Sequence, residues 1–119
     1  MSDIMGIGLD VCSIERMQKL VGNERFLARY FRLDEITYIH GRSAQSAETL
    51  AGLFAAKEAV LKALGCGLSL PLTDIEITHS ESGQPRIQAH GKAAEYGGFF
   101  LLSITHDAGV AAASVVWLK

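Results

Sequence analysis

Five charged or titratable residues stand where hydrophobic packing alone does not account for them: Asp10, Lys57, Glu58, Lys62 and His106. Glu58 and Lys62 are four positions apart in LFAAKEAVLKALGCG, a segment that reads as helix, so both lie on one face about a turn apart. Two readings fit that spacing. One is a surface pair contributing roughly 0.2–0.5 kcal/mol. The other is a carboxylate and an ammonium held on a rigid element beneath a ligand, the carboxylate for a hard divalent cation and the lysine for phosphate. Asp10 bears on the choice because it follows the glycine-containing pattern MGIGL. Two carboxylates from different rigid elements can hold magnesium while leaving positions for water and phosphate oxygens. A strand-terminal aspartate also serves as a cap or turn acceptor. Lys57 falls within the apolar stripe of the same helix, so it either snorkels past its neighbours or donates to a buried acceptor. His106 follows a strongly apolar run and precedes a turn, a position that suits a structural histidine, a ligand contact or a proton carrier. His40, His79 and His90 have less distinctive surroundings.

Other chemistries leave no trace. The sequence has no HExxH, no paired CxxC and no phosphate loop ending in GK[ST], and the early GIG lacks the rest of a dinucleotide fingerprint. A GxSxG elbow is also missing. Eleven Lys and Arg against thirteen Asp and Glu give a net charge of -2, which argues against a protein built to wrap nucleic acid. The two cysteines, Cys12 and Cys66, have neither zinc-pair spacing nor the density of a secreted scaffold, and read as small reduced core residues of a cytoplasmic protein. The opening MSDIMGIGLDV has an acidic Asp3 and no basic stretch before its short apolar run, unlike a signal peptide, and no apolar stretch is long enough to span a bilayer.

The elements that must carry these residues follow from periodicity. A strand is expected from about Ile4 to Val11, with Met5, Ile7, Leu9 and Val11 on one face and Gly6, Gly8 and Asp10 on the other. Glycines on one strand face mark close approach by another backbone or a ligand. Ser13 is a candidate cap for a helix ending near Gly22. A second helix starts near Asn23 or Glu24, and a third covers about Asp34 to His40. Ser43 or Ser46 is the candidate cap for the next helix, Leu50 to Leu64, which is apolar almost all round and therefore central. Its Gly52, Ala55, Ala56, Ala59 and Ala63 form a side where backbone can approach. Period two then returns in a hairpin around Ile75–Ile77 and Ile87–Ala89, and a short helix follows at Lys92 to Tyr96. The strands Phe99 to Thr105 and Val110 to Leu118 are apolar on both faces apart from Ser103 and Ser114. Such strands need cover on each side, from helices or from a partner subunit. With 119 residues, 49% of them hydrophobic, one compact core is expected.

Four blocks in order carry a resemblance: GIGLDVCSIERM, LFAAKEAVLKALGCG, DIEITHSESGQPRIQAHG and SITHDAGVAAASVV. Together they resemble the holo-acyl-carrier-protein synthase group of 4'-phosphopantetheinyl transferases, from about residue 6 to residue 116. The resemblance implies one transferase domain over residues 1–119, α+β, with an antiparallel sheet packed against a central helix. It also implies magnesium dependence, coenzyme A as donor, the serine of an apo acyl carrier protein as acceptor, and a homotrimer with active sites at subunit interfaces. By the same likeness Asp10 and Glu58 are metal ligands, with Glu58, Lys62 and His106 in the catalytic set. Lys62, Gly65, Gly67, Gly83, Pro85, Arg86 and His106 would surround the cofactor, and Arg16, Lys19, Arg25 and Arg29 would dock the carrier. No nucleic acid and no membrane insertion are expected. Two positions depart from the pattern: Leu53, where the family often carries Arg, and Arg32, where it usually has Thr before the matching Glu35. A transferase for a secondary-metabolism carrier and a carrier-binding protein without turnover are the rival readings.

Overall fold

The computed structural model describes Met1–Lys119 apart from the Leu68 side chain. Its elements run β1 (Ile4–Ser13), α1 (Ile14–Gln18), α2 (Glu24–Tyr30), α3 (Leu33–Gly41), α4 (Ser46–Leu64), β2 (Ile75–His79), β3 (Pro85–Ala89), α5 (Gly91–Ala94), β4 (Phe99–Asp107) and β5 (Val110–Leu118). Strands β1, β5 and β4 form an antiparallel sheet in that order, and β2 pairs with β3 in a separate hairpin. This is the expected α+β arrangement, with α4 across one face of the larger sheet and packed chiefly on β1 and β5.

The glycines of β1 explain how closely α4 can lie. A Cβ at Gly6 would collide with the Ala63 carbonyl, and one at Gly8 with the Ala59 carbonyl. The alanine side of α4 therefore meets bare backbone, and the approaching group inferred from the sequence is a helix. The alternation of β1 follows from this contact. Gly8 and Cys12 are buried while Ile7 and Leu9, on the far side, remain 73% and 61% exposed. Leu101 on β4 adds to the same outer face at 56% exposure. One face of the sheet is covered by α4, and the other is apolar and open.

Local signals differ in how they are used. Ser13 caps α1, its Oγ accepting from the Arg16 amide at 3.1 Å, but the helix stops at Gln18 and leaves Lys19 as its C-cap, well before Gly22. Asn23 caps α2 through the Phe26 amide at 3.0 Å. Neither Ser43 nor Ser46 caps α4. Ser43–Gln45 instead forms a 3-10 turn, and the helix begins four residues earlier than its apolar periodicity indicates, with Gln45 at the N-cap and no side-chain cap bond. Its other end is closed by Gly65 at φ 71°, a left-handed cap that glycine adopts without steric cost. The β4–β5 turn is reduced to Ala108 and Gly109, both at positive φ, so His106 lies inside β4 opposite Ala111. Cys12 is buried, whereas Cys66 is only partly so; both are free.

Lys57 does not snorkel. Its side chain has no solvent exposure, and its Nζ donates to Glu35 Oε1 at 2.7 Å and to the Leu72 carbonyl at 3.0 Å. Glu35 is equally buried. Its Oε1 also accepts from the Arg32 amide at the head of α3 at 2.8 Å, and its Oε2 accepts from the Ile77 amide of β2 at 2.8 Å. Arg32, the residue in the usual threonine position, donates its guanidinium to the Thr73 carbonyl at 2.8 Å. This network fixes α4 against α3 and the hairpin. Burial pushes the Lys57 ammonium below its ordinary pKa, and the Glu35 charge pulls it back. Among the described residues, no helix is long and apolar enough to cross a membrane.

Candidate active site

Two elements place the carboxylates. β1 ends its glycine-lined stretch at Asp10, on the face toward α4, and α4 presents Glu58 and Lys62 to the same spot from its carboxyl half. Lys62 donates to Asp10 Oδ1 at 3.0 Å and to the Leu9 carbonyl at 2.9 Å. The surface-pair reading of Glu58 and Lys62 therefore gives way to an inter-element pair between Lys62 and Asp10. Glu58 is left beside them without an ion-pair partner within 4.0 Å among the described residues. Burial raises its pKa above the ordinary carboxylate value, the Asp10 charge raises it further, and Lys62 and Arg16 oppose the shift. Cys12, next to Asp10 on the far side of Val11, has its thiol pushed up by burial, although Arg16 stands 3.7 Å from its sulfur.

Asp10 and Glu58, two carboxylates that sense each other's charge, are donors of the kind a hard cation takes. Among the described residues no cluster of three His, Cys, Asp or Glu could hold a metal. Two carboxylates would leave the remaining positions of a hard cation to phosphate oxygens and water. The residues present fit magnesium on those terms. Glu58 also borders a cavity of about 480 Å³ with Arg29, Tyr30, Phe54 and Leu61. Gly65 and Gly67 follow Lys62 at the end of α4, exposed and at φ 71° and 58°.

The rest of the candidate set assembles elsewhere. A cleft of about 400 Å³ is lined by Gly83, Pro85 and His106, together with Leu53 and Gly52 of α4. His106 is half exposed, with its Nε2 3.7 Å from Glu48 Oε2. Arg86 is exposed on β3 and does not border this cleft. Both groups of residues are anchored on α4, but Glu48 and Glu58 are ten residues apart, about 15 Å along a helix at 1.5 Å per residue. The cleft of Gly83, Pro85 and His106 and the cavity beside Glu58 share no lining residue. Arg16, Lys19, Arg25 and Arg29 are all exposed, and of these Arg29 reaches the Glu58 cavity.

Sequence reasoning missed several members of the cleft, among them Tyr38, Arg42, Glu48 and His79. Tyr38 and His79 are stacked, with centroids 4.0 Å apart and planes at 11°. No local spacing relates a residue of α3 to one of β2, so only the folded chain brings this pair together.

The comparisons with known proteins fit this arrangement. A family model described as the 4'-phosphopantetheinyl transferase superfamily matches residues 6–113. A holo-[acyl-carrier-protein] synthase of Treponema denticola is 37% identical over 119 residues, covering 95% of this chain and 97% of the relative. Among solved structures, holo-[acyl-carrier-protein] synthase of Helicobacter pylori in complex with coenzyme A is 36% identical, covers 93% of this chain and 98% of its own, and superposes with a TM-score of 0.83. The enzyme from Bacillus anthracis, in complex with CoA (3',5'-ADP), is 31% identical with the same TM-score, covering 98% of this chain and 97% of its own. Family model, relatives and fold agree over nearly the whole length, and the chain belongs to the holo-[acyl-carrier-protein] synthase family of the 4'-phosphopantetheinyl transferase superfamily.

Proposed function

We propose that this chain transfers the 4'-phosphopantetheine group from coenzyme A to a serine hydroxyl of apo acyl carrier protein, releasing adenosine 3',5'-bisphosphate. The observation that carries the reading is the meeting of Asp10, Glu58 and Lys62 where β1 crosses α4, in a chain of this family. The serine oxygen bonds to the phosphorus bearing the pantetheine, the bond from that phosphorus to the bridging oxygen breaks, and the electron pair leaves with the bisphosphate. Glu58, directly or through a bound water, accepts the serine proton. Lys62, whose side chain is 56% exposed and bonded to Asp10 in competition with water, meets the charge of the leaving group. Asp10 and Glu58 would hold magnesium, which supplies neutralisation of charge on the pyrophosphate as the bond breaks.

The reading extends to the whole assembly. Residues 1–119 act as one transferase domain, in the cytoplasm, where Cys12 and Cys66 remain free thiols. Three copies associate through the open apolar face of β1 and β4. The separation of Asp10, Glu58 and Lys62 from Gly83, Pro85 and His106 supports a site completed by a neighbouring copy. Arg16, Lys19, Arg25 and Arg29 offer an acidic carrier a positive rim beside Glu58.

The test is to incubate apo carrier with coenzyme A and magnesium and weigh the intact carrier. A gain equal to the pantetheine phosphate supports the reading. Association without a gain in mass identifies a carrier-binding protein and defeats it. Light scattering of the free protein is expected to give a trimer, and a monomer at micromolar concentration would remove the interface from the account.

A further inference from the structure

The cavity beside Glu58 has walls from distant parts of the chain. Arg29 and Tyr30, at the end of α2, line one part of it, and Leu70, Pro71 and Leu72, from the connection between α4 and β2, line another. That connection is two 3-10 turns, Gly67–Ser69 and Leu72–Asp74, with Leu70 and Pro71 extended between them. Two side-chain cations hold its second turn. Lys57 donates to the Leu72 carbonyl at 3.0 Å from α4, and Arg32 donates to the Thr73 carbonyl at 2.8 Å from the head of α3.

The two cations differ in what else they do. Lys57 is committed to Glu35 in the core. Arg32 is half-buried and has no carboxylate within 4.0 Å among the described residues. It sits at the N-cap of α3 without making a side-chain cap bond. A threonine there would spend its short hydroxyl on the first turn of α3. Arginine gives up that cap for a bond to another segment. Arg32 stands two residues beyond Tyr30, and its acceptor one residue beyond Leu72, so the bond ties the α2 wall to the connection wall. Arg32 does not itself line the cavity, and it can act there only through the walls.

The lining says what the cavity suits. Tyr30, Phe54, Leu61, Leu70 and Leu72 offer apolar surface, with Glu58 and Arg29 at its border. Arg29 also belongs to the positive rim that meets the carrier. A serine travelling from that rim to Glu58 brings its chain neighbours with it, and apolar neighbours fit this space. We propose that Arg32 is a positioning residue for the carrier: its bond to Thr73 fixes the spacing of the two walls and thereby the affinity for the segment around the reacting serine. This inference rests on the transferase reading and adds to it a residue that touches neither substrate.

The experiment measures KM for apo carrier and for coenzyme A, and kcat, in wild type, Arg32→Met, Arg32→Thr and Arg32→Lys, with calorimetric titration of apo carrier in the absence of coenzyme A. Denaturant midpoints accompany each variant. Arg32→Met keeps the length and loses the donor, while Arg32→Thr loses the bond and supplies a helix cap, so stability and carrier affinity should part company in it. Both are expected to raise the carrier's KM and Kd roughly three- to tenfold, the scale of one net hydrogen bond, with kcat and the coenzyme A KM unchanged. Arg32→Lys, which retains a donor, should recover most of the affinity. Wild-type carrier affinity in Arg32→Met and Arg32→Thr would overturn the assignment, as would a Lys variant as weak as Met or an equal rise in the coenzyme A KM. A wild type that binds apo carrier through this bond but transfers nothing would defeat the transferase reading and leave Arg32 assigned.

Discussion

Two lysines on one helix have nearly the same partners and opposite circumstances. Lys57 donates to a carboxylate at 2.7 Å and a main-chain carbonyl at 3.0 Å; Lys62 donates to a carboxylate at 3.0 Å and a main-chain carbonyl at 2.9 Å. Lys57 is wholly buried, while the Lys62 side chain is 56% exposed. Burial removes the alternatives: Lys57 and Glu35 have only each other and a few amides and carbonyls, so the pair acts as a fixed joint between α3, α4 and β2. Lys62 has water as a competitor, and its bond to Asp10 can be exchanged for a bond to a ligand at little cost. The difference lies in solvent access, with the chemistry of the bonds held constant.

The widest separation should come from removing the buried lysine. Lys57→Met leaves Glu35 charged and half-satisfied in the core, and is expected to destabilise the fold by about 3–5 kcal/mol, read as a drop in the denaturant midpoint. Replacing Glu35 with Leu in the same chain should recover part of that loss, because the stranded charge goes with it. Full additivity of the two changes would show that the pair is not a unit.

The next effect belongs to the open pair's neighbour. Glu58→Gln is expected to lower turnover roughly 100-fold or more while the denaturant midpoint scarcely moves, since Gln matches Glu in helix propensity. Magnesium titrations of turnover in both proteins check it; wild-type turnover and wild-type metal dependence in the variant would remove Glu58 from the chemistry. Lys62→Met should cost at most about 1 kcal/mol of stability, far below Lys57→Met, and a comparable loss at both sites would erase the contrast.

The smallest effect is a titration. In metal-free protein, the Glu58 carboxyl followed by carbon NMR should titrate above an ordinary carboxylate, and Asp10→Asn should move its midpoint down because a raising charge is removed. The folded protein holds this proton more tightly than the unfolded chain. Its contribution to stability is therefore present below the unfolded carboxylate's pKa and is lost as pH rises through the folded value. Glu58→Gln should flatten the stability profile in that window. A midpoint indifferent to Asp10→Asn would mean the two carboxylates do not sense each other.

What could be read in advance follows the range of the interactions. The glycine face of β1, the small-residue side of α4, the hairpin and the Ser13 cap depend on neighbours a few residues away and were legible. Asp10, Glu58 and Lys62 stand out in the sequence as polar residues on otherwise apolar elements. The Glu35–Lys57 joint was not legible, because Glu35 lies in an amphipathic helix where a surface glutamate is ordinary, and its amide partners come from β2. The α4 start was misjudged since Ser46–Thr49 continue the helix without its apolar stripe. His106 looked terminal to its strand because its pairing with Ala111 depends on a two-residue turn with Ala108 at φ 52°, which the residue type does not announce.

The bare side of β1 has a consequence for how stability should be measured. Since Gly6 and Gly8 admit the helix backbone and nothing else, Ile7, Leu9 and Val11 cannot contribute to the core of their own chain. Whatever free energy their burial yields must come from outside the chain, and a term of that kind obeys mass action. The unfolding midpoint should accordingly climb with protein concentration when copies cover that face, and dilution alone should weaken a fold whose internal contacts are untouched.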